Sequence, residues 1–148
     1  MPSIDEIRTA IKSIAETVPN IGEVYDQMPH VKMWDEVFQN LVTDNVLKVF
    51  FFTKLTRTPK AITESYQSWD KEHKWICKYI YSSNAENESD KTFDNLCESI
   101  CAAFDKSGKL NGKAKKLFPM AQINKGYVMT CKVLCHYAEF ELITTINI

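Results

Sequence analysis

Three residues near the end of the chain have the side chains of a metal site: Cys131, Cys135 and His136. The segment around them is rich in β-branched, aromatic and aliphatic residues, which predicts a strand. On a strand, the two cysteines share one face about 13 Å apart and His136 points to the other. One zinc ion cannot be bound by that set, and a Cys–His nucleophile pair needs converging side chains. The spacing therefore predicts structural thiols and no metal.

A second pair, Glu139 and Glu141, could serve acid–base chemistry, because alternate residues share one strand face about 7 Å apart. No pocket signature accompanies these two carboxylates in the sequence. We therefore expect them to lie on a solvated strand surface, and we predict no catalytic residue and no cofactor.

The cysteines also indicate the redox setting of the chain. Their number is odd, and the amino-terminal segment is amphipathic and acidic, unlike a signal or transit peptide. We expect a protein made in the cytosol, with reduced thiols packed as small hydrophobic side chains. The five are Cys77, Cys97, Cys101, Cys131 and Cys135.

Two basic clusters are the main candidates for contact with a partner. Residues 106–116 hold five lysines and no acid, and a second cluster lies within residues 54–60. Solvated loops are one interpretation; contact with a phosphate backbone or an acidic partner surface is the other. The candidate contact residues are Lys54, Arg57, Lys60, Lys113, Lys115 and Lys116. Tyr66 and Trp69, from the same region as the second cluster, are candidate interface anchors.

Composition restricts the class of protein. The chain has 148 residues, 45% hydrophobic and 25% charged, which is typical of one folded domain spanning residues 1–148. A net charge of -1 argues against a dedicated nucleic-acid binder. No apolar run approaches the roughly 18 residues that a membrane-spanning helix needs.

The elements that position these residues follow from hydrophobic periodicity. Ser3 and Glu6 form a capping box before an amphipathic helix that extends to Val18 and ends at Pro19 and Gly22. A short extended segment 23–25, a helix 31–42 and a strand 46–55 are predicted next. They are followed by a functional loop 56–70, a strand 73–82 and a helix 90–105 that is ended by Gly108 and Gly112. The last predicted elements are a strand 117–123 across Pro119, a hairpin loop 124–126 and a final strand 127–148. This order predicts an α+β fold, a mostly antiparallel sheet with helices packed on one face.

Two of these strands impose geometric conditions. Phe50 and Phe52 lie on the less apolar face of strand 46–55, so we expect both faces of this strand to be covered. The last 22 residues would extend about 73 Å if straight, whereas a compact chain of this size is about 35–40 Å across. This segment must therefore bend sharply or continue onto a neighbouring subunit.

The order and spacing of five segments carry a family resemblance. They are residues 22–26 (GEVYD) after the first helix, 48–52 (KVFFF), 73–76 (HKWI), the helix 93–104 and 133–142 (VLCHYAEFEL). Together they span nearly the whole chain and resemble the small tail terminator (tail completion) proteins of tailed bacteriophages. None of the five is a catalytic motif.

The resemblance implies a structural virion protein without cofactor or catalysis. Such proteins form a hexameric ring that caps the tail tube, stops its polymerisation and joins it to the neck or head-completion protein. DNA passes through the ring non-specifically, no membrane is involved, and the expected location is the tail–neck junction of the virion after assembly in the host cytoplasm. The alternatives are another phage neck or head–tail connector adaptor, and a small cytosolic enzyme or ligand-binding domain.

Overall fold

The computed structural model describes residues 3–28, 34–35, 39, 47–61, 69–82, 89–130 and 133–147. Its helices are α1 (Ile4–Glu16), α2 (Ser89–Asp105) and the short α3 (Gly108–Asn111). Its strands are β1 (Glu23–Tyr25), β2 (Lys48–Ala61), β3 (Trp69–Ser82), β4 (Lys116–Leu117), β5 (Ala121–Thr130) and β6 (Val133–Asn147). The fold is α+β, as predicted.

Three long strands form the centre of a mostly antiparallel sheet. The sheet order is β1-β2-β3-β6-β4, and β5 pairs with β6. Only β1 and β2 are parallel. The strands β2 and β3 have 14 residues each, which corresponds to about 46 Å of extended chain. At one end of the sheet, residues 56–61 of β2 pair with 69–74 of β3, which pairs in turn with β6, and we call this end of the two strands the β2–β3 arm.

The helices α1 and α2 pack on one face of this sheet, and both were predicted correctly. The hydroxyl of Ser3 accepts the Glu6 N–H at 3.1 Å, so the predicted cap begins α1. Residues on the apolar stripe of α1, among them Ile7 and Ile11, are fully buried against Trp75 and the other large side chains of the main core. Burial of this stripe fixes the helices on the sheet.

The opposite sheet face carries a smaller apolar cluster. Its buried members are Leu47, Val49, Phe51, Ile80 and Cys135. Trp34 packs edge-on against Phe51, with ring centroids 6.1 Å apart. Phe50 and Phe52 lie in the main core, so both faces of this strand are covered, as expected. Residues 34–35 and 39 of the predicted helix 31–42 are helical, and the rest of it lies outside the described residues.

Gly22 sets the distance between the end of α1 and the sheet. Its φ is +87°, and a Cβ built there would lie 2.3 Å from the Cβ of Lys48 and 2.5 Å from its carbonyl oxygen. No larger side chain fits this close approach. The helix α1 ends at Glu16, with Thr17 as its C-cap, which is earlier than the predicted end at Pro19 and Gly22. The glycine instead brings β1 alongside β2.

The segment after α2 is a left-handed turn. Gly108 and Gly112 bracket three residues with positive φ between 56° and 59°, namely Lys109, Leu110 and Asn111. Positive φ is unfavourable for residues with a Cβ. Leu110 is nevertheless fully buried in the main core, and this burial offsets the strain.

Three predicted connections are wrong. Of the predicted functional loop 56–70, residues 56–61 belong to β2 and 69–70 to β3, and residues 62–68 lie outside the described residues. The predicted hairpin loop 124–126 lies inside β5, where Gly126 pairs with Tyr137. The predicted strand 117–123 is divided into β4 and β5, because Pro119 has no N–H to donate to a ladder.

The final segment bends, which is the first of its two predicted alternatives. Thr130 pairs with Val133, so the chain reverses across residues 131–132 and the single strand 127–148 becomes the β5–β6 hairpin. Because β6 also pairs with β3 over its whole length, from Ser82↔Cys135 to Asp70↔Asn147, this hairpin reverses at the sheet end opposite the β2–β3 arm.

Candidate partner-binding surfaces

A β-bulge at Leu55 brings two of the predicted contact residues onto one face. Residues three apart on a regular strand point to opposite faces. The register shifts between Lys54 and Thr56, so that Lys54 pairs with Trp75 and Arg57 with His73. Paired residues of antiparallel strands point the same way, and the one extra residue therefore aligns Lys54 with Arg57 on the helix side of the sheet.

His73 lies among these cations. Lys54, Arg57 and Lys71 are its charged neighbours, and we call these four residues the basic cluster. The imidazole is 1% exposed. Burial, followed by the repulsion of Lys54, Arg57 and Lys71, lowers the pKa of His73 to about 4. The ring is therefore neutral at pH 7.

Neither ring nitrogen of His73 has a hydrogen-bond partner within the described part of the chain. A buried polar atom without a partner is unfavourable, and such atoms are uncommon in folded proteins. In contrast, the neighbouring Trp75 donates its indole N–H to the Thr144 hydroxyl at 3.2 Å. Both ring nitrogens of His73 are therefore buried without a hydrogen-bond partner among the described residues.

At this end of the sheet β2 is exposed on both faces, whereas Asp70 and His73 of β3 are buried. We use "basic arm" for residues 54–61 of β2 and 69–74 of β3. Residues 55–59 are all exposed, although buried strands normally alternate. The strand β1 pairs with β2 only at residues 49–51, so among the described strands nothing covers the outer edge of β2 along the arm. The bulge and Pro59 make that edge irregular, which limits uncontrolled pairing.

The predicted lysines of residues 106–116 have different roles. The Lys115 ammonium contacts both carboxylate oxygens of Asp70, at 3.0 and 3.1 Å. A carboxylate from β3 therefore balances the charge of Lys115, because segment 106–116 has no acidic residue of its own. The carboxylate of Asp70 is nearly buried, which makes this contact part of the fold. Lys113 is exposed near α1. Lys116 pairs with Thr145 through its backbone, and its side chain lies outside the described residues.

The remaining predicted contact residues are only partly placed. Trp69 pairs with Ala61 at the start of β3, and Lys60 pairs with Asp70, so both backbones belong to the basic arm. The side chains of Lys60 and Trp69 and the whole of Tyr66 lie outside the described residues. The two lysine-rich segments of the sequence, 54–60 and 106–116, nevertheless lie at the same sheet end, because the Lys115 ammonium contacts the Asp70 carboxylate of β3.

The opposite sheet end has an apolar surface that the sequence analysis missed. Tyr127, Met129 and Leu134 are 62%, 64% and 50% exposed, and we call them the hairpin tip. Met129 pairs with Leu134, and Tyr127 pairs with His136, whose ring centroid is 5.1 Å away. The apolar residues of the hairpin tip alternate in the sequence, as on a strand. Because residues 127–148 were predicted as one continuous strand, the hairpin was not predicted.

The adjacent Cys135 and His136 lie on opposite faces of the sheet. Cys135 lies in the smaller cluster, whereas the adjacent His136 stacks on Phe93 in the main core, with ring centroids 5.1 Å apart. Burial raises the pKa of the Cys97 thiol to about 12 and that of Cys101 to about 11. These thiols are protonated at pH 7 and are poor nucleophiles. Cys131 lies outside the described residues.

The two glutamates are engaged by neighbouring side chains. Glu139 accepts a hydrogen bond from the Tyr137 hydroxyl, and Glu141 lies 3.9 Å from the Lys74 ammonium. Both are half-buried on the sheet face opposite α1 and α2, as the alternation predicted. No group of three or more metal-ligating side chains occurs among the residues that the structure describes.

Comparison with known proteins adds no relative. No family model matches the chain, and no curated protein matches it either. Over the described ranges, no helix is long and apolar enough to cross a membrane. The arguments about function therefore depend on the two surfaces at opposite ends of the sheet.

Proposed function

We propose that this chain is a tail terminator of a tailed bacteriophage, a structural protein that caps the tail tube as a hexameric ring. The observation that carries the proposal is the chemical difference between the two sheet ends. One end has the charged basic arm and the other an exposed apolar hairpin tip. A terminator must contact different partners, the tail tube and the neck, and two distinct surfaces on one rigid sheet suit that task.

The side chains with catalytic potential support a structural role. The thiols of Cys97 and Cys101 are held in the protonated form, and Glu139 and Glu141 have neighbouring partners. The resemblance of residues 22–26, 48–52 and 133–142 to terminator segments adds a family context. Exposed strand ends of this length suit an assembly component, because burying them against other subunits supplies interface area.

Site-specific photocross-linking in intact virions tests the proposal. A photoreactive phenylalanine analogue is placed at Tyr127 on the hairpin tip and, separately, at Thr58 on the basic arm. We expect covalent products with the tube protein, with the neck protein or with a second copy of the chain. An analogue at exposed Ser13 on α1 is the matched control for surface position.

The outcomes separate the alternatives. Products with neck or head-completion proteins alone, and none with the tube, would favour a connector adaptor. A chain absent from purified virions would exclude both structural roles and favour the cytosolic enzyme or ligand-binding domain. Loss of the chain should also give tails of uncontrolled length, measured by electron microscopy, because nothing then stops polymerisation of the tube.

A further inference from the structure

The basic cluster has the composition of an oxyanion site. Lys54, Arg57 and Lys71 supply positive charge on one face, and the buried His73 ring has an N–H without a partner in the described structure. The ring is 1% exposed, so an incoming carboxylate would meet Lys54, Arg57 and Lys71 and reduce the repulsion among these three cations. The geometry therefore fits an acidic ligand better than an apolar one.

The same chain carries an acidic stripe that could supply the carboxylates. Asp90, Asp94 and Glu98 are exposed at four-residue steps on α2, so they lie along one side of the helix. The Lys125 ammonium lies 2.9 Å from Asp90 and 2.7 Å from Asp94. A single ammonium shared by two of these three carboxylates leaves excess negative charge on the acidic stripe.

The basic cluster lies far from the part of the acidic stripe that Lys125 contacts, Asp90 and Asp94. Lys125, which contacts the stripe, pairs with Ala138 of β6, whereas His73 pairs with Thr144. These two positions on β6 are about 20 Å apart along the strand. A contact between two different patches of the same protein is head-to-tail, and it closes into a ring when the rotation per subunit divides a full turn.

We propose that the basic arm binds the acidic stripe of a second copy, with Asp94 and Glu98 contacting the cations of the basic cluster. This proposal rests on the ring assembly of the proposed function and names the surfaces that would form it. The charge complementarity of arm and stripe is the argument for a second copy. The chain's net charge of -1 makes nucleic acid the less favoured occupant.

Charge exchange between two variants tests this contact. The arm-reversed variant carries Arg57→Glu and Lys71→Glu, and the stripe-reversed variant carries Asp94→Lys and Glu98→Lys. At low salt we expect the wild type to sediment well above the 17.1 kDa monomer and each variant alone to associate on the order of 100-fold more weakly. An equimolar mixture should regain assembly with alternating copies, because each arm again meets a stripe of opposite charge.

The matched control is Thr56→Glu with Thr58→Glu. These residues pair with Lys74 and Glu72 and therefore lie on the other face of the same arm. The control should assemble like the wild type, and circular dichroism should show all variants folded. Self-association of both reversed variants at wild-type strength would overturn the proposal. A mixture of the two variants that stays monomeric at about 100 μM would also overturn it, whether or not the wild type assembles.

The remaining outcomes distinguish this contact from the proposed function. A ring that persists in every variant would disprove the contact and leave the terminator role intact. Charge-exchanged mixtures that form open filaments or closed dimers, neither of which caps a tube, would support the contact and disprove the terminator role. If arm reversal spares assembly but abolishes retention on a short DNA duplex, the arm contacts nucleic acid and our proposal is wrong.

Discussion

The basic arm and the hairpin tip lie at opposite ends of one sheet, and their chemistry differs. The arm carries Lys54, Arg57 and Lys71 around a buried imidazole, whereas the tip exposes Tyr127, Met129 and Leu134. Charged surfaces mainly speed and orient docking and are weakened by salt. Apolar surfaces supply affinity that depends less on salt. Under the proposed function, the two sheet ends would therefore serve two separate binding events.

The largest expected effect comes from removing the platform that both surfaces share. Ile11 of α1 is fully buried in the main core, so Ile11→Asp would bury a carboxylate without a partner. We expect a loss on the order of 3–5 kcal/mol in the free energy of unfolding, and both surfaces should be lost together. Urea denaturation measures this change.

The control for the platform is Ser13→Asp, an exposed position on the same helix that should change stability by less than about 0.5 kcal/mol. If Ile11→Asp melts with the wild type, α1 does not hold the sheet as described. If only one of the two surfaces loses binding in this variant, the arm and the tip do not depend on a common platform.

The second effect concerns the basic arm and pH. The pKa of His73 is about 4 in the folded protein, below the usual value of 6.5, because the native state resists protonation of the ring. The contribution of His73 to stability is therefore complete above pH 6.5 and falls as pH drops from 6.5 to 4. The loss should be about 1–3 kcal/mol, measured by denaturant unfolding across that range.

The control for the pH effect is His73→Gln, which keeps a polar side chain but removes the titration. The difference in stability between wild type and variant should change with pH in this window alone. A constant difference would show that His73 titrates normally and is not enclosed by cations. The pKa of His136 at the other sheet end is also lowered, mainly by burial, so the His136→Gln variant tests whether the effect is specific to the arm.

The third effect separates a structural lysine from an exposed one. Lys115 contacts a nearly buried Asp70 at the base of the arm, whereas Lys113 is exposed. We expect Lys115→Met to lower stability by about 1 kcal/mol and Lys113→Met to have almost no effect. Thermal unfolding compares the two directly. Equal losses would mean that the ion pair contributes nothing specific.

The smallest effect on stability should come from the hairpin tip. Met129 and Leu134 are mostly exposed, so replacing both with Ser should change the free energy of unfolding by less than about 0.5 kcal/mol. Binding to a partner should nevertheless fall by at least tenfold, measured by co-sedimentation with tail tubes and with neck protein. A strongly destabilised variant would identify the tip as core and remove the contrast with the arm.

The predicted helices agree with the structure because their evidence is local. The Ser3–Glu6 cap, the steps of three and four along α1 and the stripe of α2 can each be identified within a few residues. Burial of Phe50 and Phe52 beside Val49 and Phe51 also followed from alternation along a single strand. The fold class then followed from the order of these elements.

The strand ends could not be predicted because pairing decides them. Asn124, Lys125 and Gly126 are typical of a turn, but pairing with β6 and the contact of Lys125 with α2 keep them in β5. Alternation along β2 is interrupted because a bulge at Leu55 shifts the register just before residues 56–61. These outcomes depend on residues far away in the sequence, which local patterns do not contain.

The sequence by itself determined the class of fold, the buried faces of the helices and central strands, and the presence of unusually many cations in two segments. Only the tertiary structure decided where those cations lie. It placed Lys54, Arg57 and Lys71 around His73, used Lys115 within the fold, and exposed an apolar tip at the opposite end. The physical reason is that hydrophobic periodicity is set by neighbours three or four residues away, whereas strand register brings together side chains dozens of residues apart.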